Sequence, residues 1–71
     1  MELLATPNIL NDLKTKLQHC VEEEQHDYEK YMQLAQEATT DKEKIILFDI
    51  AKEEMRHKKF LIELLNDMAV K

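Results

Sequence analysis

The chain has no glycine, and its only proline, Pro7, stands near the start. Nothing after Pro7 therefore breaks or kinks a helix, and the glycine that tight β-turns use is missing. There is one cysteine, Cys20, so no intrachain disulfide can form, and a reducing, cytoplasmic setting is expected. No apolar run approaches the ~20 residues of a membrane span. The opening Met1-Glu2-Leu3-Leu4 is too short and too acidic for a signal peptide. Positive charge is also scarce: ten Lys and Arg stand against fifteen Asp and Glu, a net charge of −5. Nucleic acid is excluded as a partner on that ground, since phosphate binding needs a basic face.

What remains is rich in Leu, Glu, Lys, Gln and Ala, the composition of long helices, and 71 residues make one small domain. Residues 1–5 read as a short tail, and residues 6–71 as the folded part. Thr6-Pro7-Asn8 is a helix start, with a capping side chain at Thr6 or Asn8 and proline at the first helical position. A helix is predicted over about 7–38, a turn at about 39–40, and a second helix over about 41–68. Thr40-Asp41-Lys42-Glu43 has the Thr-x-x-Glu form of a capping box, and Asp41 and Glu43 put negative charge in the first turn. Each helix is about 30 residues, hence about 45 Å long, and so short a turn makes them antiparallel.

The apolar pattern carries the interesting feature. On the first helix it steps Leu10, Leu13, Leu17, Cys20/Val21, Glu24, Tyr28, Tyr31, Leu34/Ala35, Ala38, alternating three and four. On the second it steps Leu47, Ile50, then Leu61, Leu64, Met68, and the gap falls on Glu54 and His57. Three charged or titratable groups thus occupy apolar places, and burying a charge is costly unless it is paired or binds a metal. In an antiparallel pair, residues equidistant from the turn are level. Leu10 and Met68, Leu13 and Leu65, Leu17 and Leu61, Tyr28 and Ile50, and Tyr31 and Leu47 are each equidistant from position 39, and so are Glu24 and Glu54. Stripe, turn and ladder agree.

Two helices cannot cover all the apolar surface, because the second also carries Ile46, Phe48, Met55, Phe60 and Ile62. The expected completion is an all-α four-helix bundle of two hairpins related by a two-fold axis, as a homodimer or higher homo-oligomer. Two copies of Glu24, Glu54 and His57 then converge. A Glu from each of two helices plus Glu-x-x-His from each of the other two is the ligand set of carboxylate-bridged di-metal bundles. Four carboxylates balance two divalent ions. Carboxylate with imidazole suits iron or manganese, with zinc as a further candidate. Such a pair of metals can bind and reduce dioxygen or peroxide.

Glu24, Tyr31 seven residues on, and Glu54-x-x-His57 resemble the ferritin-like superfamily over about residues 9–68. The likeness is to its half-size, two-helix members, the encapsulated ferritins, with rubrerythrin-type domains next. It implies a ferritin-like four-helix bundle with Glu24, Glu54 and His57 as ligands of two irons per dimer. It further implies a ferroxidase oxidising Fe²⁺ with dioxygen or peroxide, and Tyr31 as the aromatic residue near the site. The family's acidic iron-entry site falls on Glu23 and His26, a candidate secondary site in which the histidine departs from the pattern. An encapsulating shell stays open as a partner, but the extension that directs such proteins into a protein nanocompartment is not seen before Lys71, so this sequence does not support it.

Plainer alternatives stand beside these. Glu54 can pair with Lys58 at i+4, with His57 at the seam edge and Glu24 turned outward. His19, Glu22, Glu23 and His26 can be a solvated face, Tyr28 and Tyr31 core aromatics, and Cys20 a small hydrophobe. At the level of function, the alternatives are a metal-binding module without turnover and a metal-free dimerisation hairpin whose seam polar groups set register.

Overall fold

Good helix formers run without interruption on both sides of residues 38–40, and two long helices result. In the computed structural model, which describes the backbone of residues 7–70 and the side chains of residues 12–68, α1 spans Pro7–Glu37 and α2 spans Asp41–Val70. They pack against each other as a hairpin measuring 58 × 16 × 15 Å, one helix pair thick. α1 begins at Pro7, which lacks the N–H that a first helical residue would leave unpaired. The tail at 1–5, the Thr6 cap and the Leu10–Met68 pairing lie outside the described residues. No described helix is long and apolar enough to cross a membrane.

The turn is built without glycine or any left-handed residue among those described. Ala38 N–H still reaches the Leu34 carbonyl at 3.0 Å, and α2 starts at once. The Thr40 hydroxyl accepts from Glu43 N–H at 3.1 Å. In return, Glu43 Oε1 accepts from the N–H groups of Thr39 at 3.2 Å and Thr40 at 3.3 Å. The capping box is therefore closed in both directions, and these backbone donors hold the Glu43 carboxyl below the usual glutamate range.

A seam of buried and half-buried positions runs along α1 through Lys14, Leu17, Val21, Glu24, Tyr28, Tyr31 and Ala35 to Ala38 just past its end, with Cys20, Gln25, Asp27 and Met32 half-buried beside it. Along α2 the seam runs through Lys44, Leu47, Ala51, Glu54, Lys58, Leu61, Leu65 and Met68, with Ile50 half-buried beside it. Both alternate three and four without a miss, the two-in-seven seam of paired helices. Only Ala35 and Ala51 are fully buried among the described residues. An alanine is small enough for one neighbouring helix to cover, while the larger seam residues stay partly open.

The apolar stripes expected from sequence are wider than this seam and lean to one side of it. Leu13, Leu34 and Leu64 belong to those stripes but are exposed, and Leu65 and Lys58 take the seam places beside Leu64 and His57. The reason is geometric. A hairpin seam uses two positions in seven, whereas helices built for a bundle carry three or four apolar positions. One flank of the hairpin holds Leu13, Cys20 and Leu34 on α1 and Ile46, Ile50, His57, Phe60 and Leu64 on α2. The opposite flank holds Met32 on α1 and Ile45, Phe48, Met55 and Ile62 on α2.

Thr40→Ala removes one side of the capping box and is expected to lower stability by about 1 kcal/mol. Denaturant unfolding would read this at unchanged helix content. A loss no larger than a few tenths would mean that the Glu43 carboxylate holds the start of α2 alone.

Candidate metal centre

Glu24 is midway along α1 and Glu54 midway along α2, both on the seam. Their side chains are 23% and 18% exposed, low for carboxylates in so thin a protein. His57, one turn beyond Glu54, sits on the adjoining flank with its side chain 47% exposed. Its Nδ1 is 3.8 Å from Glu24 Oε2 and 3.8 Å from Glu54 Oε1. One donor atom from each of the three residues lies within 4.8 Å of the others. No second such group of Asp, Glu, His or Cys converges among the described residues.

The carboxylates lack compensation. Glu24 Oε1 is buried and has no hydrogen-bond partner. The cations nearby are committed elsewhere. Lys58 crosses the hairpin on the far side of the seam and donates to Gln25 Oε1. Arg56 binds Glu53, with Nη2 2.8 Å from Oε1. Glu24 consequently holds its proton above the usual glutamate range. Hydrogen bonding with the Glu54 carboxyl is the main cause, followed by loss of solvent and by the Glu54 charge, while His57 opposes the shift.

This geometry meets the expected ladder: Glu24 and Glu54 are level, and His57 reaches both. It does not place His57 within the seam, where Lys58 stands instead, and the Glu54–Lys58 pair of the plainer alternative is not formed, Lys58 being turned to Gln25. Tyr31 is half-buried two turns along α1, with the Lys30 ammonium 4.9 Å from its ring centre. Glu23 and His26 are exposed and, with His19 and Glu22, line an open depression on the outer face of α1. Sequence reasoning missed Glu53, whose Oε1 lies 3.9 Å from His57 Nε2. Its i,i+4 spacing to His57 was the available signal.

The donor set fits a divalent cation. Two bonds of about 2.1 Å hold their donors no more than about 4.2 Å apart. The three residues are thus within small side-chain adjustments of a coordination shell. Carboxylate oxygen with imidazole nitrogen is the chemistry of iron, manganese and zinc sites.

No family model matches the chain, and neither a curated protein nor a solved structure shows significant similarity to it. The likeness to ferritin-like proteins rests on the spacing of Glu24, Tyr31, Glu54 and His57.

The raised Glu24 carboxyl gives the metal-free protein a pH signature. Above about 4.5, the ordinary glutamate value, the unfolded chain has released this proton while the folded chain retains it. Stability from this group is full at lower pH and falls as pH rises through the folded value. Glu24→Gln removes the dependence, so in chelator its Tm advantage over wild type should widen from pH 4.5 upward. A constant difference would mean that Glu24 titrates alike in both states. Glu43 contributes in the opposite sense, being lowered, and it cancels in the comparison.

Proposed function

We propose that the chain is an iron-binding protein of ferritin-like design, in which two hairpins form a four-helix bundle and share a two-metal site with ferroxidase activity. The observation that carries this reading is the convergence of Glu24, Glu54 and His57, one donor atom of each lying within 4.8 Å of the others on an otherwise apolar stripe. Glu24 also carries the one buried side-chain polar atom without a hydrogen-bond partner among the described residues, which supports a cation as its partner.

The second copy follows from sidedness. His57 stands midway along the flank formed by Ile46, Ile50, Phe60 and Leu64, with Leu13 and Leu34 on α1. A two-fold axis through this flank buries the exposed apolar residues and brings a second Glu24, Glu54 and His57 opposite the first set. The four carboxylates then match the charge of two divalent ions, and the surrounding Leu, Ile and Phe exclude water.

Glu24, which holds its proton above the usual glutamate range, gives it up as the cation arrives, so binding tightens as pH rises. His57 offers Nδ1 as the nitrogen donor. With Fe²⁺ as substrate, two ions supply the two electrons that reduce one peroxide, with two protons, to water, or half of those that dioxygen takes.

The test is an anaerobic Fe²⁺ titration of chelator-stripped protein, with saturation expected at about one iron per chain, followed by admission of air and detection of ferric iron. Binding without oxidation would make the chain a metal-binding module. Absence of saturable binding would sink the proposal and leave a dimerisation hairpin. In parallel, saturating metal at 100 times Kd should add about 2.7 kcal/mol to wild-type stability, and Glu54→Leu should abolish that response.

The interface has its own prediction. Phe60→Glu, on the His57 flank, should lower both self-association in sedimentation and iron binding. Phe48→Glu, on the opposite flank, should leave both unchanged. Equal effects would mean that the flanks had been assigned wrongly.

A further inference from the structure

We infer that Glu53 is a positioning residue for His57, directing the free electron pair of Nδ1 toward the carboxylates by accepting a hydrogen bond from the N–H of the other ring nitrogen. The inference rests on the metal-site reading above and adds a residue to it.

The geometry around the imidazole is two-sided. Nδ1 faces Glu24 and Glu54, each at 3.8 Å, and Nε2 faces Glu53 Oε1 at 3.9 Å. A neutral imidazole has one N–H and one acceptor nitrogen, and the environment selects which is which. With Glu24 and Glu54 alone, the favoured place for the proton is Nδ1, where two carboxylates can accept it. That form cannot bind a cation through Nδ1. Glu53 makes the other tautomer competitive, because its carboxylate can accept Nε2–H. A carboxylate behind a metal-binding histidine fixes both tautomer and ring orientation.

His57 shares this carboxylate with a competitor. Arg56 holds the same Oε1 atom, through Nη2 at 2.8 Å and Nε at 3.3 Å, and the Arg56 guanidinium lies 5.5 Å from the Phe60 ring centre. All three residues are on α2, so the arrangement is built from i,i+3 and i,i+4 spacings and needs no contact with α1. Closing Glu53 Oε1 onto Nε2 requires a movement of about 1 Å to reach hydrogen-bond distance. It can occur as the cation draws Nδ1 inward.

An alternative role for Glu53 is only to anchor Arg56 on the helix surface, and the two roles separate by mutation. Co²⁺ is the probe, titrated into chelator-stripped full-length protein, with its visible absorption reporting the ligand field. Glu53→Ala should weaken Co²⁺ binding by about 10- to 100-fold and alter the band shape, with helix content and self-association of the metal-free protein unchanged. Glu53→Gln should restore most of the affinity, since its amide oxygen still accepts Nε2–H. Arg56→Ala should leave affinity at the wild-type level or raise it. Wild-type affinity in Glu53→Ala, with binding abolished in His57→Ala, would overturn the positioning role alone. Equal losses in Glu53→Ala and Arg56→Ala would reduce Glu53 to an anchor for Arg56. No saturable Co²⁺ binding by the wild type would overturn the metal-site reading, and this inference with it.

Discussion

Two carboxyl groups level with each other inside a two-helix protein set the terms for everything else in this molecule. At an effective dielectric constant of 20, two like unit charges 4 Å apart repel by about 4 kcal/mol. A small domain is stable by only about 0.05–0.15 kcal/mol per residue, so the repulsion rivals the whole stability of a chain this size. Partial exposure to water softens it without removing it. The Glu24 carboxyl answers it by holding its proton above the usual glutamate range, and in the proposed metal site a cation would offset the same charge.

The allocation of positive charge sharpens this. The described ion pairs of lysine and arginine join residues three or four apart on one helix: Lys16 with Asp12, Lys30 with Asp27, Lys52 with Asp49, and Arg56 with Glu53. Such exposed pairs add little stability, but they occupy the cations. Lys58, the lysine seated on the seam near the site, goes to the neutral Gln25 and not to a carboxylate. That crossing bond marks one side of the seam, and the His57–Glu24 approach marks the other. The hairpin thus has a polar tie on its back and an uncompensated carboxyl pair on its front.

The hairpin was legible because its signals are local. Helix start, capping box and turn depend on residues within a few positions of one another, and Thr40 and Glu43 bond as their spacing predicts. The level of Glu24 with Glu54 was legible too, since it depends only on where the turn lies. The exact facing of each stripe was not. Leu64 and Leu65, or His57 and Lys58, differ by one residue, and hydrophobicity alone favours the leucine or imidazole that a bundle would bury. In the hairpin, Lys58 lies along the seam because its long apolar stem can pack while its ammonium reaches Gln25. Glu53 was missed for a related reason: on an acidic helix one more glutamate carries no signal until the ring nitrogen it faces is known.

The mismatch between stripe and seam is itself informative about assembly. If the hairpin were the final unit, selection of apolar residues would follow the seam, and Leu13, Leu34, Phe60 and Leu64 would have no physical reason to be apolar. They lie on the flank toward which Glu24, Glu54 and His57 turn. The coordination requirement points the same way. The proposed metal set would require a second chain opposite this face, since a di-metal bundle takes a Glu from each of two helices and Glu-x-x-His from each of the other two. In the proposed dimer, apolar burial and metal ligation therefore demand the same surface. On that proposal the apolar ends of the flank would serve association and its polar middle would serve the cation.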